Sequence, residues 1–148
     1  MKLVINIALA LVAGLPLATV QGAEAVVKPR VVTEAVKHDS DDPAIWINRA
    51  DPSQSLVIGT DKDADGALYV FDLQGRVVQD KVVRGLLRPN NVDIAYDVMV
   101  GGVKVDVAVV AERYAHRLRV FRLPDMLAID GGGIPVFEGE RARDVMGI

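Results

Sequence analysis

Two pairs of hard oxygen donors recur along the chain, each followed some twenty residues later by a cation. Asp41-Asp42 precedes Lys62, and Asn90-Asn91 precedes Arg113. Carboxylate and side-chain amide oxygens are the ligands that Ca2+ prefers. Lysine offers phosphate a compact point charge, and arginine offers it a planar, two-pronged fork. Brought to one face, the six residues would make a site for a phosphorylated ligand.

Taken singly, each residue has a plainer reading. Asp41-Asp42-Pro43 is better read alone as a turn whose carboxylate caps backbone amides. Asn90-Asn91 after Pro89 is ordinary loop chemistry, and a lone Lys62 or Arg113 is most often a solvated surface charge. Recurrence at matching places changes the balance, because independent turns have no reason to share their chemistry. Asp61-Lys62-Asp63-Ala64-Asp65-Gly66 imitates the first half of an EF-hand loop. Its flanks, Leu56-Val57-Ile58 and Leu68-Tyr69-Val70-Phe71, are strand-like, so a β-hairpin is the better reading. His38 fits a loop role and His116 an exposed turn. Neither belongs to a metal-binding pair by spacing.

The elements that must position these residues are strands. Period-two patterning predicts strands over Ala44–Asn48, Leu56–Thr60, Leu68–Leu73 and Arg76–Val83. A second set is predicted over Val92–Tyr96, Lys104–Ala111, Arg117–Leu123 and Ile134–Phe137. Leu68–Leu73 matches Leu118–Leu123 at a shift of 50, and Asp41-Asp42 matches Asn90-Asn91 at 49. Thr60-Asp61-Lys62 matches Ala111-Glu112-Arg113 at 51. Four short strands repeating at this interval predict β-propeller blades, whereas a β-sandwich would not account for the internal match. In antiparallel pairing, the start of a first strand and the end of a second lie at the same end of a hairpin. All six polar residues then belong to one face of the wheel. Trp46 and Tyr96, at matching places, are expected in the packing between blades.

The leading residues predict export. Met1-Lys2 is a short positive start, and Leu3–Val20 is apolar apart from Asn6 and Thr19. Ala23-Glu24-Ala25 supplies a cleavage site and Val20-Gln21-Gly22 a second candidate, so residues 1–25 read as a signal peptide. The product is expected to be secreted or periplasmic, with no membrane anchor after cleavage. The chain has no cysteine, which excludes a lipid-anchored lipoprotein, a disulfide scaffold, a Cys-ligated zinc and a cysteine-nucleophile phosphatase. A net charge of −3 argues against nucleic acid as partner. Val145-Met146-Gly147-Ile148 reads as the middle of a strand, and residues 26–148 therefore as the N-terminal part of a propeller domain, about two blades and the start of a third.

From about His38 onward the sequence resembles the β-propeller phytases, the alkaline or 3-phytases. The resemblance rests on Asp41-Asp42-Pro43-Ala44-Ile45-Trp46, on Ser55–Thr60 with Lys62, on Gly66–Gly75 and on Asn90-Asn91-Val92-Asp93-Ile94, in that order and spacing. It implies an all-β, six-bladed β-propeller, of which this chain holds the opening blades and is incomplete. It implies a monomeric enzyme when full length, which hydrolyses phytate (myo-inositol hexakisphosphate) with Ca2+ as cofactor. Position by position, Asp41 and Asn90 resemble ligands of the active-site calcium cluster. Asp42, Asn91 and the carbonyls of Pro43 and Val92 resemble structural-calcium ligands. Lys62 and Arg113 resemble the phosphate-binding cations, and with Asp41 form the catalytic set carried by this segment. The implied chemistry is direct attack of calcium-bound water on phosphorus.

Two departures stand out. Asp61 sits where some relatives have Asn, adding negative charge beside a phosphate subsite, and Met146 falls near a phosphate-binding tyrosine of Bacillus-type relatives. The competing reading is a non-catalytic propeller segment that binds calcium or phosphorylated ligands, or the incomplete first domain of a dual-domain phytase. A sugar-binding or lactonase-like propeller gains nothing from Lys62 and Arg113.

Overall fold

The computed structural model describes residues 27–140 and 142–148. The expected signal peptide over residues 1–25 lies outside the described residues. Among the described residues the regular structure is strand and single 3-10 turns, and no helix is long and apolar enough to cross a membrane.

Strands β1 (Ser40–Trp46), β2 (Leu56–Asp61), β3 (Gly66–Phe71) and β4 (Val83–Leu86) form one antiparallel sheet in chain order. Strands β5 (Pro89–Val100), β6 (Val103–Glu112) and β7 (Arg117–Leu123) begin a second. Its outer strand is split into β8 (Leu127–Ala128) and β9 (Ile134–Pro135), both paired with β7. Each sheet is a meander of its own stretch of chain, with no strand exchanged between them. The fifty-residue sequence repeat is thus a repeat of sheets, the arrangement expected of propeller blades.

Alternation decides what packs where. Leu56 and Ile58 of β2, with Leu68 and Val70 of β3, face the second sheet, where they meet Val92, Ala108, Val110 and Phe121. Burying each fully enclosed Val, Leu or Ile here contributes about 1.5–3 kcal/mol. Tyr69 and Phe71 point the other way, into a smaller cluster with Ala67, Val36 and Val57. All of β3 is therefore buried, which is why its sequence runs apolar without alternating. Trp46 is in the main core, and its Nε1 donates to Asp106 across the sheets at 2.8 Å. Tyr96 does more than pack: its hydroxyl accepts from the Ile47 amide at 2.9 Å.

Several strand boundaries differ from the sequence reading. The fourth strand lies at Val83–Leu86, and Val77 makes only an isolated bridge to Phe71. Glu34 intervenes, accepting from the Val77 amide at 2.6 Å and donating its own amide to the Gly75 carbonyl at 2.8 Å. The outer strand of the second sheet is split because Asp130 takes the Val120 amide at 2.9 Å, where a ladder partner would sit. Val145–Ile148 pairs with no strand, although Val145 is buried. The EF-hand-like segment is the β2–β3 hairpin, with Asp61 opposite Ala67.

Candidate functional site

The starts of β1 and β5 and the ends of β2 and β6 coincide. Ser40 lies opposite Asp61 in one sheet, and Pro89 lies opposite Glu112 in the other. Asp41 and Lys62 thereby meet, the Lys62 ammonium lying 2.5 Å from Asp41 Oδ1 and 3.9 Å from Asp39 Oδ2. Neither partner is fully buried, with side-chain exposures of 21% for Lys62 and 31% for Asp41, so a soluble anion can reach the pair.

In the second sheet the place of Asp41 is taken by Asn90, which is buried and uncharged. Asn90 turns its amide nitrogen to Asn91 Oδ1 and to the Met146 carbonyl, both at 2.7 Å. Arg113 consequently finds no carboxylate at the start of its own first strand. It reaches Asp144 instead, at 2.5 Å. That hydrogen bond holds the guanidinium above its usual range and holds the Asp144 carboxyl below the usual carboxylate range. Sequence reasoning missed Asp144, because its position depends on how the segment after β9 folds back. Met146 contributes its backbone carbonyl to this corner.

Two contacts tie the sets together. Asp42 Oδ2 accepts the Val92 amide proton at 2.9 Å, joining the two first strands. Asp63, in the β2–β3 hairpin, accepts the Arg88 amide at 2.8 Å. Gly66 is required for that approach, since a Cβ there would lie 2.4 Å from Pro89 Cδ and 2.6 Å from the Asp61 carbonyl. Asp41 with Lys62, Asp42 with Val92, and Asn90 with Asn91 are therefore brought together pairwise. Lys62 and Arg113 occupy matched positions in the two sheets, each with its own anion. A cavity of about 410 Å3 is walled by Leu118, Val136, Phe137, Val145 and Met146 and by the charged Arg143 and Asp144.

Asp61 is only 1% exposed, its carboxylate enclosed by the loop that leads into β1. Its Oδ1 accepts from the His38 and Asp39 amides at 2.9 and 2.8 Å, and its Oδ2 pairs with His38 Nδ1 at 2.9 Å. Glu112 is likewise buried, accepting from the Leu87 amide at 2.7 Å and from Arg117 Nε at 2.5 Å. The signal for both was the match of Asp61-Lys62 with Glu112-Arg113.

Asp39, Asp41 and Asp42 supply hard, anionic donors of the kind that fit Ca2+, and the chain has no cysteine to compete. Among the described residues, no group of three Asp, Glu or His side chains converges on one metal position.

A repeat of antiparallel four-stranded sheets, with oxygen donors and a cation at the same end of each, defines the class: all-β repeat proteins with a polar face. A family model described as Phytase matches residues 2–132, and the chain belongs to the phytase family. It is similar to the 3-phytase of Bacillus subtilis (strain 168), with 35% identity over 92 residues, covering 62% of this chain and 22% of that relative. The chain thus spans about a fifth of the length of the curated relative it matches.

Proposed function

We propose that this chain forms the opening blades of a secreted or periplasmic, six-bladed, calcium-dependent phytase that hydrolyses phosphomonoesters of myo-inositol hexakisphosphate. The observation that carries the reading is the matched placement of Lys62 and Arg113, each just past the second strand of its sheet and each ion-paired at that end. Phosphate oxygens are stronger, multiply charged partners for these cations than the single carboxylates they now hold. Lys62 would bind as a point charge and Arg113 as a fork, orienting the ester and stabilising charge that develops on the phosphoryl oxygens. Asp41 would exchange Lys62 for calcium, joined by Asn90 through Oδ1, the amide oxygen left by its two donated hydrogen bonds. Asp42, Asn91 and the carbonyls of Pro43 and Val92 would hold structural calcium between the two first strands. Bound there, calcium supplies a Lewis acid and an activated water.

These blades alone are expected to be inactive, so the experiment is phosphate release from phytate by the full-length protein that carries them, with Ca2+ and with excess chelator. Turnover that persists in chelator overturns the reading. A second reading, a segment that binds phytate or calcium without turning it over, needs only the matched cations Lys62 and Arg113. Calorimetric binding with no phosphate release in saturating Ca2+ selects that alternative.

A further inference from the structure

The two buried carboxylates, Asp61 and Glu112, repeat one another down to the atom they hold. Asp61 Oδ1 accepts the amide of His38, three residues before Asp41, at 2.9 Å. Glu112 Oε1 accepts the amide of Leu87, three residues before Asn90, at 2.7 Å. The other oxygen of each goes to a side chain that can carry positive charge, His38 Nδ1 in the first sheet and Arg117 Nε in the second. The next residue along the chain then returns the grip. The Lys62 amide donates to the Asp39 carbonyl at 2.8 Å, and the Arg113 amide donates to the Arg88 carbonyl at 3.1 Å. Asp39 and Arg88 are again equivalent, each two residues before the first oxygen donor of its sheet.

We infer that Asp61 and Glu112 are positioning residues for the phosphate-binding cations. Each carboxylate and the amide that follows it clamp the loop leading into the first strand, which sets Lys62 against Asp41 and Arg113 beside the Asn90 end of β5. A buried carboxylate is expensive to desolvate, and the loop amides it accepts offset part of that cost. Two such carboxylates at one repeat position, both spent on the same loop amide and both adjacent to the cation, match a demand for geometry. Asp and Glu differ by one methylene, and the difference is absorbed by their partners. The shorter Asp61 also takes the Asp39 amide, whereas the longer Glu112 is held by two of the three Arg117 guanidinium nitrogens, Nε and Nη2, at 2.5 and 3.1 Å.

The inference rests on the phosphate reading above, so its test has one readout that needs no ligand. Amide hydrogen exchange at His38 and Leu87 is expected to speed up roughly tenfold or more in Asp61→Ala and Glu112→Ala respectively, and to stay slow in Asp61→Asn, which keeps an acceptor oxygen. Unchanged exchange in the alanine variants overturns the clamp. The second readout is a double-mutant cycle for phytate binding by calorimetry. Asp61→Ala is expected to weaken binding roughly tenfold well below its Tm, with Asp61→Asn restoring most of it. Adding Asp61→Ala to Lys62→Ala should cost little more, because Asp61 acts through Lys62. Full additivity, or native affinity in Asp61→Ala, leaves only a structural role and sinks the inference. Asp61→Glu, which keeps the charge and displaces the loop by one methylene, replaces Asp61→Ala if that variant does not fold. Failure of the native protein to bind phytate overturns the phosphate reading instead, and the exchange data still decide the clamp.

Discussion

Asp42 and Val92 lie fifty residues apart in sequence, yet the Asp42 carboxylate accepts the Val92 amide proton at 2.9 Å. The bond connects the first strand of one sheet to the first strand of the next, at the end where the oxygen donors and cations gather. Val92 is buried, so its N–H has no ready access to water.

Removing that acceptor should therefore cost more than an exposed hydrogen bond would. Asp42→Ala is expected to lower stability by about 1–3 kcal/mol, the penalty of a buried, unpaired amide. Asp42→Asn, which keeps an oxygen, should recover much of it. Urea unfolding monitored by circular dichroism measures both, and a midpoint for Asp42→Ala equal to that of the native protein contradicts the assignment.

Trp46 is the sole tryptophan and sits between the sheets with its Nε1 on Asp106. Its fluorescence should be blue-shifted in the folded state and move red as the sheets part. Trp46→Phe removes a hydrogen bond to a carboxylate and is expected to destabilise by about 1.5–3 kcal/mol. Emission typical of solvated indole in the native protein would rule out this packing.

Lys62 and Arg113 should separate binding from stability. Each alanine substitution is expected to weaken phytate binding about tenfold or more, as befits loss of a charge-assisted contact. The Lys62–Asp41 pair is partly solvent-exposed, so Lys62→Ala should change folding stability by less than about 1 kcal/mol. Calorimetry and thermal melts check the two halves. A large fall in Tm with unchanged affinity would reverse the roles assigned.

The Arg113–Asp144 pair predicts an acid-side transition. Arg113 holds the folded-state pKa of Asp144 below its unfolded value. The stabilising contribution is thus fully present above about pH 3.9, the ordinary Asp value, and is lost as pH falls through the folded pKa. Asp144→Asn should remove this component. Carboxyl chemical shifts followed by NMR from pH 6 to 2 test it, and an Asp144 midpoint at or above the ordinary value refutes the pairing.

Gly66 tests the close approach of the second sheet. The 2.4 Å and 2.6 Å contacts that a methyl group would make involve a proline ring and a backbone carbonyl, neither of which yields easily. Gly66→Ala is expected to lose about 1–3 kcal/mol, the usual range for overpacking. A Tm at or above the native value would show that the Asp63–Arg88 junction is looser than described.

Much of the architecture was legible because it is periodic. The shifts near fifty matched Asp41 with Asn90 and Lys62 with Arg113, and antiparallel pairing put Asp41 and Lys62 at one end of the first sheet and Asn90 and Arg113 at the matching end of the second. The fourth strand of the first sheet was misplaced because Glu34, outside the repeat, captures the Val77 amide. The outer strand of the second was misread because Asp130 breaks it from within, by a side-chain bond that no hydropathy pattern encodes. The burial of Asp61 was not legible because it depends on the loop that folds over it.

By itself, then, the sequence determined the type of element, the repeat, and the chemistry available at each repeat position, since these depend on residue identity and local spacing. Tertiary structure decided the partnerships. Asp41 holds Lys62 within one sheet, whereas Arg113, facing the neutral Asn90 position, crosses to Asp144. The physical reason is that a charge takes the nearest opposite charge its surroundings leave available, and nearness between residues twenty to fifty positions apart is set only when the sheets pack.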